Sequence, residues 1–186
     1  DLLLHEYTHV LHMEKTAGLA GLVNQVFGRS YFPNLLQPIF LIEGLAVHTE
    51  TRWSQGGRGR GSAYRMYLRM AALEEKLAGI DLASGYYTID HPGGEIPYVY
   101  GMAFYRHLAD KYGQDAPAAL AKAHAANPYA SLWGLDDETR ALTGKSIADL
   151  AGLPSPAPAT EPSREPPREP ATGTVIGTPA SPGDRS

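Results

Sequence analysis

The chain has 186 residues, 16 Lys+Arg against 20 Asp+Glu for a net charge of −4, and no cysteine. That length predicts one domain, or one domain with a tail. The absence of cysteine excludes a disulfide scaffold, thiolate zinc sites, cysteine-held iron–sulfur clusters and a Cys nucleophile. The mild acidic balance gives no electrostatic basis for general nucleic-acid or anionic-membrane binding.

In chain order, residues 1–14 predict a helix, with Leu3, Leu4, Tyr7, Val10 and Leu11 spaced for one apolar side. Asp1 leads straight into that pattern, so the chain reads as starting inside a helix. Residues 15–36, with scattered glycines and Pro33, read as a loop holding a short helix. Pro38 suits a first turn, and a second helix is expected from Ile39 to about Trp53. The stretch Gln55-Gly-Gly-Arg-Gly-Arg-Gly61 reads as a flexible loop. Ser62 is the expected N-cap of a third helix reaching about Ala78, with Met66, Tyr67, Met70, Leu73 and Leu77 inward. Tyr86–Ile89 predicts a short strand, and His91–Glu95 a turn. Pro97 opens a fourth helix ending near Gly113. Another runs from Asp115 to before Pro128. A last pair covers about 136–143 and 146–151, with Ser146 and Asp149 as an S-x-x-D capping box. No apolar run approaches about 18 residues, so no membrane segment is expected. From Pro154 to Ser186 lie nine of the 15 prolines and none of the aromatic residues. Such a segment buries too little apolar surface to offset its ordering entropy. The expectation is a mainly α domain over 1–153 and a Pro-rich disordered tail or linker over 154–186.

The first helix carries His5-Glu6-Tyr7-Thr8-His9, an H-E-x-x-H motif. Residues i and i+4 share one helix face, so both imidazoles can reach one metal ion. Glu6, next to the first ligand, is placed to take a proton from a metal-activated water. A catalytic zinc site needs a third protein ligand. The metzincin pattern would put a glycine and a third histidine where His12 and Lys15 stand, so it fails. Glu43 in the second helix supplies a carboxylate instead. It follows apolar Phe40-Leu41-Ile42, and a glutamate buried there needs a partner; the alternative is a glutamate facing solvent.

His5–His9 followed by Glu43-Gly-Leu-Ala-Val-His-Thr-Glu50 resembles the gluzincin metallopeptidases, and more closely the bacterial peptidase MA-like group, similar here to the zinc aminopeptidases. The resemblance implies one Zn²⁺ per chain on His5, His9 and Glu43, with Glu6 as general base in peptide-bond hydrolysis. It implies a zincin-like catalytic helical part whose β lobe belongs ahead of Asp1. Glu50 matches a glutamate that the aminopeptidases show seven residues after the third ligand, and is a candidate to orient a ligand imidazole. Pro97-Tyr98-Val-Tyr100-Gly101 resembles the aminopeptidase P-Y-x-x-G stretch, and gives Tyr98 the role of oxyanion donor. The lysine expected before that glycine is Tyr100 here, and the Gly-x-Met-x-Asn exopeptidase loop is absent. The implied partner is a peptide or protein substrate, and the implied setting is extracytoplasmic in a bacterium. A non-catalytic zinc-binding or interaction module is the rival reading. Arg-Gly-driven RNA binding through Gly56–Gly61, with Arg52 and Arg65, is a third and lesser one. His12 and His91 are minor candidates, and His48, His107 and His124 read as off the metal face or structural.

Overall fold

In the computed structural model, residues 1–77, 93–127 and 134–151 are described. They form eight α-helices and no strand: α1 Leu2–Met13, α2 Gly18–Phe27, α3 Ile39–Trp53, α4 Ser62–Leu73, α5 Ile96–Tyr112, α6 Ala116–Ala126, α7 Leu135–Thr143 and α8 Ile147–Ala151. Short 3-10 turns at Pro33–Leu36, Arg58–Arg60 and Gly93–Glu95 lead into or out of them. The expected strand at 86–89, His91 and the Pro-rich segment lie outside the described residues.

Helix α3 is apolar on most sides, which is the pattern of a buried rather than a surface helix. It packs along α5 and also against α1. Phe40, Leu41, Leu45 and Val47 of α3 meet Val99, Phe104, Tyr105 and Leu108 of α5 in the core, joined by Leu120 of α6 and Ile147 and Leu150 of α8. Phe40 and Phe104 pack edge to face at 5.7 Å. The crossing of α3 and α5 is closest at Gly44 and Gly101. A Cβ on either would run into the other helix's backbone. No side chain fits between them, so this pair of glycines sets the helix separation.

The predicted helix at 39–53 forms over Ile39–Trp53, and the segment read mainly as loop contains a ten-residue helix, α2. The Ser146–Asp149 capping box is present: Ser146 Oγ donates to Asp149 Oδ2 at 2.6 Å, and the Asp149 amide donates back to Ser146 Oγ at 3.0 Å. Three expectations are corrected. Ser62 is the first helical residue of α4, and the cap position is Gly61. The inward face of α4 is Tyr64 with Tyr67 and Leu68, whereas Met66, Met70, Leu73 and Leu77 are exposed. The Tyr64 hydroxyl donates to Glu95 Oε2 at 2.9 Å, and that bond fixes which face turns in. In α1 the apolar side is outward: Leu3, Tyr7, Val10 and Leu11 are exposed, and His5, Thr8 and His12 are buried. Carboxylates of α3 meet His5 and His9 on this face, while Thr8 bonds back to the Leu4 carbonyl of its own helix.

Candidate metal centre

Helix α1 puts His5 and His9 one turn apart, facing α3, which puts Glu43 opposite them. His5 Nε2, His9 Nε2 and Glu43 Oε2 form a nearly equilateral triangle: 3.1 Å between the imidazoles and 3.2 Å from each to the carboxylate oxygen. Hydrogen bonds alone do not satisfy three such atoms. Each neutral imidazole has one proton to give, so one edge of the triangle is always unpaired or proton against proton. A cation at the centre satisfies all three. A tetrahedral ion with ligands at about 2.0–2.1 Å spaces them roughly 3.3 Å apart, close to the distances found. His5, His9 and Glu43 are thus a group that can hold a metal ion. Burial pushes the Glu43 carboxyl up, but hydrogen bonds from His5 and His9 outweigh it and bring it down to about 2.

The far side of the His5 ring is also held. Glu50 lies two helical turns beyond Glu43, on the same face of α3. Its Oε2 is 3.2 Å from His5 Nδ1, and the side chain is 1 % exposed. When Nε2 turns to a metal, Nδ1 keeps the ring proton, and a carboxylate there accepts it. Arg58 fixes that carboxylate. Its Nε donates to Oε1 at 2.9 Å, its Nη2 to Oε2 at 3.1 Å, and its backbone amide to Oε1 at 2.9 Å. This bidentate fork is the strong form of the ion pair. Burial raises the Glu50 carboxyl, yet the bonds from Arg58 leave it below its ordinary value. Arg58 Nη2, which can only donate, also comes within 2.6 Å of His5 Nδ1, so Nδ1 accepts from Arg58 when the ring proton is on Nε2 and faces Glu50 as a donor when the proton is on Nδ1.

Sequence reasoning did not single out Arg58. Its turn was expected to be flexible, but it folds back on α3. Gly57 donates to Ser54 Oγ, Gly59 donates to Thr51 Oγ1, and a Cβ at Gly57 would strike the backbone of Thr51. The glycines permit close packing here. The signal was present in the alternation of glycine with arginine just after the ligand helix.

Tyr98 stands in the first turn of α5. Its ring stacks on the His5 ring at 6.3 Å between centroids, and the Arg58 guanidinium lies 5.2 Å from its centre. The structure thus brings His5, His9, Glu43, Glu50 and Tyr98 together. Glu6 is exposed on α1, one residue from His5. His9 differs from His5, since its buried Nδ1 has no hydrogen-bond partner among the described residues.

His12, one turn past His9, belongs to a separate buried network. Asn34 Nδ2 donates to the His12 carbonyl at 2.9 Å, and Gln37 Nε2 donates to Asn34 Oδ1 at 2.6 Å. Gln37 Nε2 also lies 3.1 Å from His124 Nδ1. Burial is the main reason that His12 and His124 are each lowered to about 4. No family model, curated protein or solved structure matches this chain. No helix among the described residues is long and apolar enough to cross a membrane.

Proposed function

We propose that the chain is the helical part of a zinc-dependent peptidase of gluzincin type, acting on a peptide or protein. The observation that carries this reading is the His5–His9–Glu43 triangle, whose donor set of two imidazoles and one carboxylate is that of hydrolytic zinc sites with an open fourth position. When bound there, Zn²⁺ supplies Lewis-acid polarisation of a carbonyl and acidifies a water to a pKa of roughly 7. His5 and His9 present their Nε2 lone pairs, and Glu50 holds the proton on His5 Nδ1. Glu6, exposed on α1 next to His5 in the chain, takes the proton of the attacking water on its carboxylate and returns it to the leaving amine. Tyr98, stacked beside His5, donates its phenolic O–H to the developing oxyanion.

The test is metal analysis of the full chain joined to a broad peptide-cleavage screen. One zinc per chain, lost in His5→Ala and His9→Ala, is expected, together with cleavage. Glu6→Gln should keep the ion and lose turnover. Tyr98→Phe should lower turnover by about 10²–10³-fold with little change in substrate binding. Undiminished cleavage by Glu6→Gln would sink the mechanism. A stoichiometric metal with no cleavage by the parent chain would favour the non-catalytic module.

A further inference from the structure

The other side of the Arg58–Arg60 turn faces a different environment. A cavity of about 440 Å³ opens there, lined by Arg52, Arg60, Arg65 and Arg106 together with His48 and Gln114. The four arginines come from four separate places: α3, the 3-10 turn, α4 and α5. A chain of net charge −4 thus gathers four of its cations round one depression. None of the three metal-binding residues lines it, and among the described residues neither does any carboxylate.

Two of the guanidiniums are tethered by neutral acceptors. Arg52 Nη1 donates to the Gln114 carbonyl at 2.6 Å, and Arg65 Nη2 reaches the Arg60 carbonyl at 3.5 Å. Neither bond cancels charge. Among the described residues, one of these arginines has an ion-pair partner: Asp110, 3.7 Å from Arg106 Nε, one turn along α5. Four like charges gathered in this way repel one another and focus a positive potential into the cavity. The His48 Nε2 atom is buried and has no hydrogen-bond partner among the described residues. Burial, and then the nearby Arg52, lower this imidazole below its ordinary value, so it is available as a neutral donor or acceptor.

We infer that this cavity is a binding site for a small multivalent anion bearing phosphate or carboxylate groups. Guanidinium forks match the oxygens of both groups bidentately, and lysine would serve less well. The volume lies in the range of small-molecule sites, roughly 300–1,000 Å³. No Phe, Tyr or Trp among the described residues lines it as a stacking platform for nucleic-acid bases. The proposal does not depend on the metal centre or on peptidase activity.

Calorimetric titration of the full chain at low ionic strength, with pyrophosphate in one arm and citrate in another, tests it. Saturable binding of at least one anion at one per chain is expected; which arm responds names the anionic group. Arg60 and Arg106 are both exposed, so Arg60→Ala with Arg106→Ala should leave the circular dichroism unchanged and weaken binding by about tenfold or more. His5→Ala should leave the affinity as it was. The proposal is overturned by no saturable binding at millimolar anion. Equal binding in the double variant, or loss in His5→Ala (which would put the anion at the metal centre), overturns it too. So does a single-stranded RNA that binds where neither small anion does.

Discussion

Each ring nitrogen of His5 has its own carboxylate: Glu43 at Nε2 and Glu50 at Nδ1. Both come from α3, seven residues apart, which at 3.6 residues per turn is nearly two full turns. One helix face therefore supplies a ligand and the group that orients another ligand. Arg58 extends this by one step, because it holds Glu50 in a single rotamer through three hydrogen bonds. Glu50→Gln and Arg58→Met should each weaken Zn²⁺ binding by about 10–100-fold, read by competition with a chromogenic chelator. Arg58→Lys keeps the charge but not the fork, and should recover only part of the loss. Wild-type affinity in Arg58→Met would remove Arg58 from the site. The imidazole pair was legible in sequence because a helix converts spacing into direction, Glu43 was marked by the apolar run before it, and Glu50 was a candidate only through the resemblance to the aminopeptidases. Arg58 was not, because its position depends on a loop closing back onto α3.

At the scale of helices, the metal centre and Tyr98 are set by how α3 crosses α5. Gly44 follows the ligand Glu43 directly, and Gly101 lies one turn after Tyr98, so the tightest contact of the crossing adjoins the site. In an open helix, glycine to alanine stabilises by about 1 kcal/mol. Here the added methyl meets backbone, which cannot swing aside as a side chain would. Gly101→Ala should therefore destabilise, by about 1–3 kcal/mol or more, in urea unfolding. Under the proposed peptidase function it should also reduce turnover by moving Tyr98 away from His5. A gain in stability would show that the helices separate freely. The sequence pattern located the helices well and their inward faces less well. In α1 the larger apolar stripe was expected inside, but the carboxylates of α3 that meet His5 and His9 turned the histidine side in. Burying those two imidazoles without such partners would be costly. Leu3 is 84 % exposed, so Leu3→Lys should change stability by no more than about 0.5 kcal/mol. A loss of several times that would mean the apolar stripe is buried after all.

The molecule as a whole carries an acid sensitivity separate from its candidate metal site. The network of His12, Asn34, Gln37 and His124 joins the end of α1, the 3-10 turn at Pro33–Leu36 and α6, so its loss loosens several elements at once. His12 and His124 go from 6.5 in the open chain to about 4 when buried. Between those values the unfolded chain takes up protons that the folded chain refuses. Stability is therefore unaffected by these groups above about pH 6.5. It falls as the pH drops towards 4, by up to about 1.4 kcal/mol per pH unit for each histidine. Glu43 acts in a lower window: its folded value near 2 lies below the ordinary 4.5, so its stabilisation holds above 4.5 and is lost as pH falls towards 2. Thermal unfolding between pH 7 and 4.5, with chelator present to remove metal linkage, isolates the histidines. His12 is the right one to change, because neither of its ring nitrogens has a hydrogen-bond partner, whereas His124 Nδ1 pairs with Gln37. His12→Leu keeps the volume roughly constant, leaves the Asn34 bond to the backbone carbonyl intact and removes one of the two histidines lowered furthest, His48 and His107 being lowered as well. It should make the loss of stability across that window measurably shallower without abolishing it. An unchanged pH slope in His12→Leu would mean that the acid sensitivity arises elsewhere in the chain.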